Sequence, residues 1–355
     1  MDIHKPKPIC NWRILSCQAS ALFFTVTLLT LAAWSTGSWA WGLTGHRIIG
    51  ELAAKNFPTA IPAFLKSPEA KTEIGLLASE PDISRNAGQP HDADLDPGHY
   101  MKVSDDGSIQ GGPRLSALPL TRREYDAALR AVGSNQYAAG FLAYNMMDGY
   151  QQLVKDFALW RMTVAAQKYE KQFGMTPTER QRFALQRRVR ETLTLRDLGW
   201  WAHFVGDASM PMHASVHLNG WGDGPNPRGF VVTPGAHGKF EEVFVDANIS
   251  DADFGAELKP YRACACTIAQ RTQDYLTASW ALVVPTYEFE KAGALDKATP
   301  ESKAFVVNRL TEAASQLRDL VTDAWDESGH ASLGYLHPLT VADLESGKAD
   351  PREIK

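Results

Sequence analysis

Beyond residue 40 the sequence is poor in cysteine, in long apolar runs and in alternating Val-, Ile- or Thr-rich stretches. Each scarcity excludes something. Only Cys264 and Cys266 remain there, separated by one residue, so neither a disulfide framework nor a paired CxxC metal site can be built. The simplest reading of Cys-Ala-Cys is two small residues on a helix, with a local disulfide as the alternative in an oxidising compartment. Scarce strand patterning excludes a sheet-based fold and leaves an all-α class. Basic excess is missing as well: 36 Lys and Arg stand against 41 Asp and Glu, a net charge of −5. Bulk electrostatics therefore do not help the chain hold a polyanion, although a local basic or metal site would override that. Low-complexity tracts, internal repeats and the H-E-x-x-H motif are all lacking.

The first 40 residues read as a targeting segment. Lys5, Lys7 and Arg13 make a basic start, Ala21 to Trp34 is apolar, and Ser38-Trp39-Ala40 offers small residues where a signal peptidase cuts. The apolar run is too short for a membrane span. Cleavage after Ala40 predicts a secreted or periplasmic protein beginning at Trp41, with no integral membrane segment. An uncleaved N-terminal anchor is the alternative.

The remainder, 41–355, reads as one helical domain with long loops and an irregular segment from about 329 to 355. Residues 41–57 carry a helical apolar stripe with Thr44 as a plausible N-cap. Residues 58–77 read as a helix interrupted by prolines. The stretch ASEPDISRNAGQPHDADLDPG, 78–98, is dense in Pro, Gly, Asp and Asn and reads as a long loop. Helices are expected near 121–132, 138–172, 177–207, 238–247, 258–284 and 301–328. Thr176 is the expected cap of the third, with Pro177 at its first position. Residues 217–236 are a Gly- and Pro-rich loop.

The chemistry concentrates in LGWWAHFVGDASMPMHAS, residues 198–215. His203 and Asp207 are four apart and share one helical face. Pro211 breaks the helix, and His213 returns from beyond the break. His237 and Glu241 repeat the four-residue spacing. Upstream, His46 lies near the expected new N-terminus, and Asp82 and His99 flank the acidic loop. One such pair is more often a surface ion pair; two, with a histidine between and further histidines upstream, point to a metal centre. His217 is the alternative to His213. His91, Asp92, Asp94 and Asp96 read as a solvated acidic loop, with a peripheral calcium site as the alternative, and His330 and His337 as structural.

HFVGDASMPMH is similar to the H-x3-D-x5-H core of the zinc-dependent phospholipase C and S1/P1 nuclease superfamily. WGLTGH, the ASEPD loop and GHY follow that family's order. The resemblance implies an all-α fold and three Zn2+ ions. It implies that Asp82, His99, His203 and Asp207 hold one ion. Trp41, through its amine and carbonyl, would hold the second with His46 and Asp207. His213, His237 and Glu241 would hold the third. It further implies phosphodiester hydrolysis by metal-bound hydroxide, since zinc brings the pKa of bound water to roughly 7. Asp82 is a candidate to orient or deprotonate that water.

The two branches of the family differ, and the sequence borrows from both. WGLTGH and Arg85, three residues after Asp82, resemble the nucleases. HGKFEEVFVD resembles the bacterial phospholipases C. The acidic charge tips the expectation towards a phospholipase C acting on lipids such as phosphatidylcholine, a monomer in transient contact with a membrane surface. A single-strand nuclease (3'-nucleotidase/endonuclease) is the alternative, and a catalytically silent, secreted zinc-binding protein is a third. Tyr100 and Trp221 are candidate substrate contacts, stacking on a base or holding a quaternary ammonium.

Overall fold

The computed structural model describes residues 41–355 except 223, 256, 257 and 355. They belong to one compact unit, Ser38–Lys355. The expected targeting segment, residues 1–40, lies outside the described residues. The fold is all-α. Its main helices are α1 (Gly42–Lys55), α2 (Pro68–Leu77), α3 (Arg122–Arg130), α4 (Leu142–Lys168), α5 (Pro177–Asp207), α6 (Ile268–Trp280), α7 (Val283–Lys291) and α8 (Pro300–Ser328). Among the described residues, no helix is long and apolar enough to cross a membrane.

Local chemistry fixes the start of the long helices. Thr176 caps α5: its hydroxyl accepts from the Glu179 amide at 3.3 Å, and the Glu179 carboxylate accepts from the Thr176 amide at 2.7 Å. Pro177 occupies the first turn, where its missing N–H costs nothing. Thr299 and Pro300 begin α8 in the same way, with Ser302 as the reciprocal partner.

Long-range packing brings α4 alongside α5, and sets α1 against α2, α5 and α8. The α4–α5 approach is close because Gly149 faces the Trp201 ring, where a Cβ would collide. The Trp201 indole spans the gap and donates to the Met146 carbonyl at 3.0 Å. One apolar core built from Ile49, Phe157, Leu198, Val205, Leu317 and their neighbours holds these helices together. Each such side chain contributes about 1.5–3 kcal/mol on full burial. The C-terminal end of α5 is thereby fixed deep in the protein.

Several sequence expectations need correction. Thr44 does not cap α1. The helix begins earlier, from Trp41 in a left-handed conformation (φ 51°) with no side-chain cap. The presumed loop 78–98 holds three short helical turns, Glu80–Ile83, His91–Leu95 and Asp96–His99; proline at or near the first position of two of them starts a turn rather than preventing one. The helix expected over 258–284 does not form as one. Cys264 and Cys266 are joined as a disulfide within non-helical chain, and helix begins only at Ile268, capped by Thr267. Residues 329–354 are ordered rather than irregular. Ser332–Leu333 pairs antiparallel with Leu339–Thr340, and helix Val341–Glu345 buries Val341 and Leu344 against Met162 and Phe183.

Candidate metal centre

Six separate pieces of chain converge at the end of α5. Its last turn supplies His203 and Asp207, and α1 supplies His46. The turn Glu80–Ile83 carries Asp82, and Asp96–His99 carries His99. Beyond the Pro211 break, the short turn Pro211–Ala214 carries His213. His237 and Glu241 stand on a helical stretch that widens into a π turn at Lys239–Val243. π turns of this kind are rare and collect at functional sites. All eight side chains are buried.

These residues form three groups whose ligand atoms lie within 4.8 Å of one another: His46, His203 and Asp207; Asp82, His99 and His203; and His213, His237 and Glu241. His203 belongs to two groups. Asp207 also reaches further than its own group, with Oδ1 3.5 Å from His46 Nε2 and Oδ2 3.3 Å from His203 Nε2 and 3.2 Å from His99 Nδ1. Asp82 Oδ1 lies 3.8 Å from His203 Nε2 and 3.9 Å from His99 Nδ1. In the third group, His237 Nε2 is 2.6 Å from Glu241 Oε1, and His213 Nε2 is 3.7 Å from Glu241 Oε2. Ligands about 2.0–2.2 Å from a zinc ion stand roughly 3.3 Å apart at tetrahedral angles, so these separations suit such an ion.

Proton bookkeeping gives a stricter test. His213 Nδ1 faces the His99 carbonyl at 2.5 Å, and His237 Nδ1 faces the Leu218 carbonyl at 2.7 Å. A carbonyl only accepts, so both Nδ1 atoms carry the proton, and in a neutral ring the lone pair is left on Nε2. The two Nε2 atoms are 2.9 Å apart. Burial lowers both pKa values, so the rings are neutral at ordinary pH and their lone pairs point at each other and at Glu241. A cation between them removes the repulsion. His203 repeats the hydrogen bonding, with Nδ1 on the Ala78 carbonyl at 2.9 Å and Nε2 2.9 Å from His99 Nδ1, but its pKa is raised: burial would lower it, and Asp207 and Asp82 outweigh burial. In metal sites, ligand histidines are commonly oriented by such second hydrogen bonds.

The carboxylates point the same way. Both oxygens of Asp207, Oδ2 of Asp82, Oε1 of Glu241 and both ring nitrogens of His46 are buried without a hydrogen bond. Leaving so many buried polar atoms unpaired costs about 1–3 kcal/mol each, more when charged. Burial pushes Asp82 up to about 7 and lowers His46 to about 4 and His99 to about 3. Glu241 is raised, first by burial and then by Asp82 and Asp207. Asp207 moves the other way: burial would raise it, but His203 and His213 outweigh burial and hold it well below the carboxylate range. The donor set, all nitrogen and oxygen, suits zinc.

Trp41 is buried beside this centre. Its main-chain nitrogen donates to Glu241 Oε2 at 3.2 Å, and its indole donates to the Gly206 carbonyl at 2.9 Å and Ser209 Oγ at 3.0 Å. A cleft of about 340 Å³ reaches the centre at His99, and Arg85 is among its lining residues. Arg85 donates from Nη1 to Asp82 Oδ1 at 3.3 Å and from Nε to Asp96 Oδ1 at 3.1 Å. The sequence reading missed the cleft's other polar residues, Asn145, Asp148, Gln152, Arg196 and Asp197. One signal was present: Arg196, Trp200 and Phe204 follow each other at four-residue spacing on α5 and line the cleft together.

The remaining candidates fall elsewhere. Tyr100 is half-buried beside Gly140 and Lys102. Trp221 is buried, stacked on His217 with ring centroids 3.7 Å apart, and borders a second cleft. His217 is in none of the groups; its nitrogens meet the Trp221 carbonyl and Asp105. His91 is the exception: it pairs with Asp92 in the acidic loop and, with Asp96, lines the first cleft. No family model, curated protein or solved structure matches the chain.

Proposed function

We propose that the protein is an exported, zinc-dependent phosphodiester hydrolase of the phospholipase C type, acting on a phospholipid through three ions. The observation that carries the reading is the set of three buried His–carboxylate groups, two sharing His203 and the third tied to them by His213 on the His99 carbonyl, beside a cleft lined by Arg85. A purely structural metal is closed on all sides, whereas this centre borders a cleft at His99. Asp82, His99, His203 and Asp207 would hold one ion, His46 and Asp207 with the Trp41 main chain the second, and His213, His237 and Glu241 the third.

Zinc in such a place supplies Lewis acidity and lowers the pKa of water towards about 7. The chain's own residues do the rest. Arg85 lines the cleft, where its guanidinium would orient a phosphoryl oxygen. Asp82 Oδ2, without a hydrogen bond in the protein, accepts from the attacking water. The Nδ1–H bonds of His203, His213 and His237 to carbonyls hold each Nε2 in a fixed direction. The apolar wall of Trp200, Trp201 and Phe204 keeps water from the inner cleft.

A second reading, a single-strand nuclease, rests on the same Arg85 and its contact with Asp82. The test offers the protein p-nitrophenylphosphorylcholine, phosphatidylcholine vesicles and single-stranded DNA or RNA, with bound metal measured alongside. Hydrolysis of the choline ester and the vesicles is expected. Cleavage of nucleic acid alone favours the second reading. Stoichiometric zinc with no hydrolysis at all would sink both and leave a silent zinc-binding protein.

A further inference from the structure

The outer face of α5 has no partner in the fold, and its composition is unlike that of the chain as a whole. Leu185, Val189 and Leu193 recur every four residues and are 52 %, 46 % and 39 % exposed. On a helix that spacing places them in one stripe. Arg182, Arg188 and Arg196 are exposed beside them. No exposed position of α5 is acidic, although acidic residues outnumber basic ones in the protein. Nearby Glu191 is partly covered and engaged by Arg187 at 2.9 Å. Arg182 and Arg188 make no ion pair among the described residues, so their charge is unspent.

The stripe leads to the cleft. One and two turns beyond Leu193, Arg196 and Trp200 line its wall, with the Arg196 guanidinium paired with Asp197 at 2.8 Å and over the Trp200 ring at 4.9 Å. Across the mouth, Leu95 is another exposed apolar residue. Apolar side chains flanked by arginines match one kind of partner better than others: a lipid surface, where leucine and valine enter the interface and arginine meets phosphate. A single-stranded nucleic acid would use the arginines, but it prefers aromatic platforms to branched aliphatics.

We propose that this face of α5 docks on a phospholipid surface and brings lipid headgroups to the cleft. The proposal rests on the phospholipase reading for its purpose but is tested apart from it. Flotation with vesicles of phosphonate analogues of phosphatidylcholine and phosphatidylglycerol, in which carbon replaces the ester oxygen between glycerol and phosphorus, measures binding without turnover. The unmodified protein is expected to float. The L185S/V189S/L193S variant should lose at least about tenfold in partition, and R182Q/R188Q about fivefold for each arginine on the anionic vesicles. These side chains lie outside the metal centre and the cleft, so both variants should keep their melting temperature and their hydrolysis of soluble p-nitrophenylphosphorylcholine.

Failure to float, or equal floating of both variants, overturns the docking face. So does retention of single-stranded oligonucleotide through this face in the absence of vesicle binding. Floating that depends on these residues, in a protein that hydrolyses no phosphodiester, supports the face and overturns the phospholipase reading alone. Hydrolysis of phosphatidylcholine without any vesicle binding overturns the face alone.

Discussion

His213 Nδ1 donates to the carbonyl of His99 at 2.5 Å, so a side chain of the third group is held by the backbone of a residue in another. The bond also ties the turn Pro211–Ala214 to the turn Asp96–His99. Occupancy of the two groups should therefore be coupled. His213→Ala is expected to lose more than the one ion it contacts, leaving fewer than two per chain. His237→Ala, whose ring is held by Leu218, should lose one. Metal analysis after dialysis compares them, and equal losses would show that the bond carries no coupling.

Asp82 links metal binding to stability. Its carboxyl is fully buried and pushed up to about 7 by burial, above an unfolded value of 3.8. In metal-free protein, ionising it costs the folded state increasingly as pH rises from about 4 to about 7, on the order of 4 kcal/mol at most. Asp82→Asn removes that cost and one ligand. After treatment with chelator, the Asn variant should melt above the unmodified protein at pH 8 and close to it at pH 5. With zinc restored, it should lose activity and metal content. A difference in melting temperature that does not grow with pH would refute the assignment, as would near-normal turnover.

Gly206 decides how closely α1 can approach α5. A Cβ there would sit 3.0 Å from His46 Nδ1 and 3.2 Å from Ile49 Cδ1. Gly206→Ala should therefore cost about 1–3 kcal/mol through overpacking, despite alanine's better helix propensity. The displaced ring of His46 should also weaken the ion it shares with Asp207. Thermal unfolding and zinc titration together check this; a stabilised variant with full metal would show that α1 yields freely.

Asn219 holds the backbone of His237, a candidate metal ligand, and is itself in none of the three groups. Its Oδ1 accepts from the Gly235 amide at 2.7 Å and from the His237 amide at 3.3 Å. The same loop is clasped by Tyr287, whose hydroxyl donates to the His217 carbonyl at 2.8 Å and accepts from the Gly220 amide at 2.9 Å. Asn219→Ala should lower affinity for the most weakly held ion by about 10–100-fold. Competition with a chromophoric chelator reads this directly, and Asn219→Asp, which keeps the acceptor, should recover most of the loss.

Much of this centre could be read from spacing because spacing is what a helix enforces. His203 and Asp207 sit one turn apart on α5, and Thr176 with Glu179 announces where that helix begins. His237 and Glu241 also follow from their spacing, but the π turn at Lys239–Val243 does not, since no residue pattern marks where a helix widens. The errors came from composition taken as conformation. Proline and aspartate density made 78–98 look like loop, yet those residues start the short turns that aim Asp82 and His99. The left-handed start at Trp41 is set by tertiary contacts of its indole, which no local pattern carries. The cleft was missed because its walls are joined from α4 and α5, far apart in sequence.

The sharing of Asp207 has a further consequence, in the sign of the field. Empty, the centre holds the carboxylates Asp82, Asp207 and Glu241 among histidines, so its ionised form is anionic and attracts cations. Three divalent ions would bring twice as many charges as three carboxylates can cancel. The filled pocket is then a cationic well inside a net-negative protein. On the proposed function, such a well would capture a phosphodiester and would hold the phosphomonoester product, with its extra charge, more tightly still. Release of product, rather than cleavage, would then limit turnover, and free phosphate would compete with substrate.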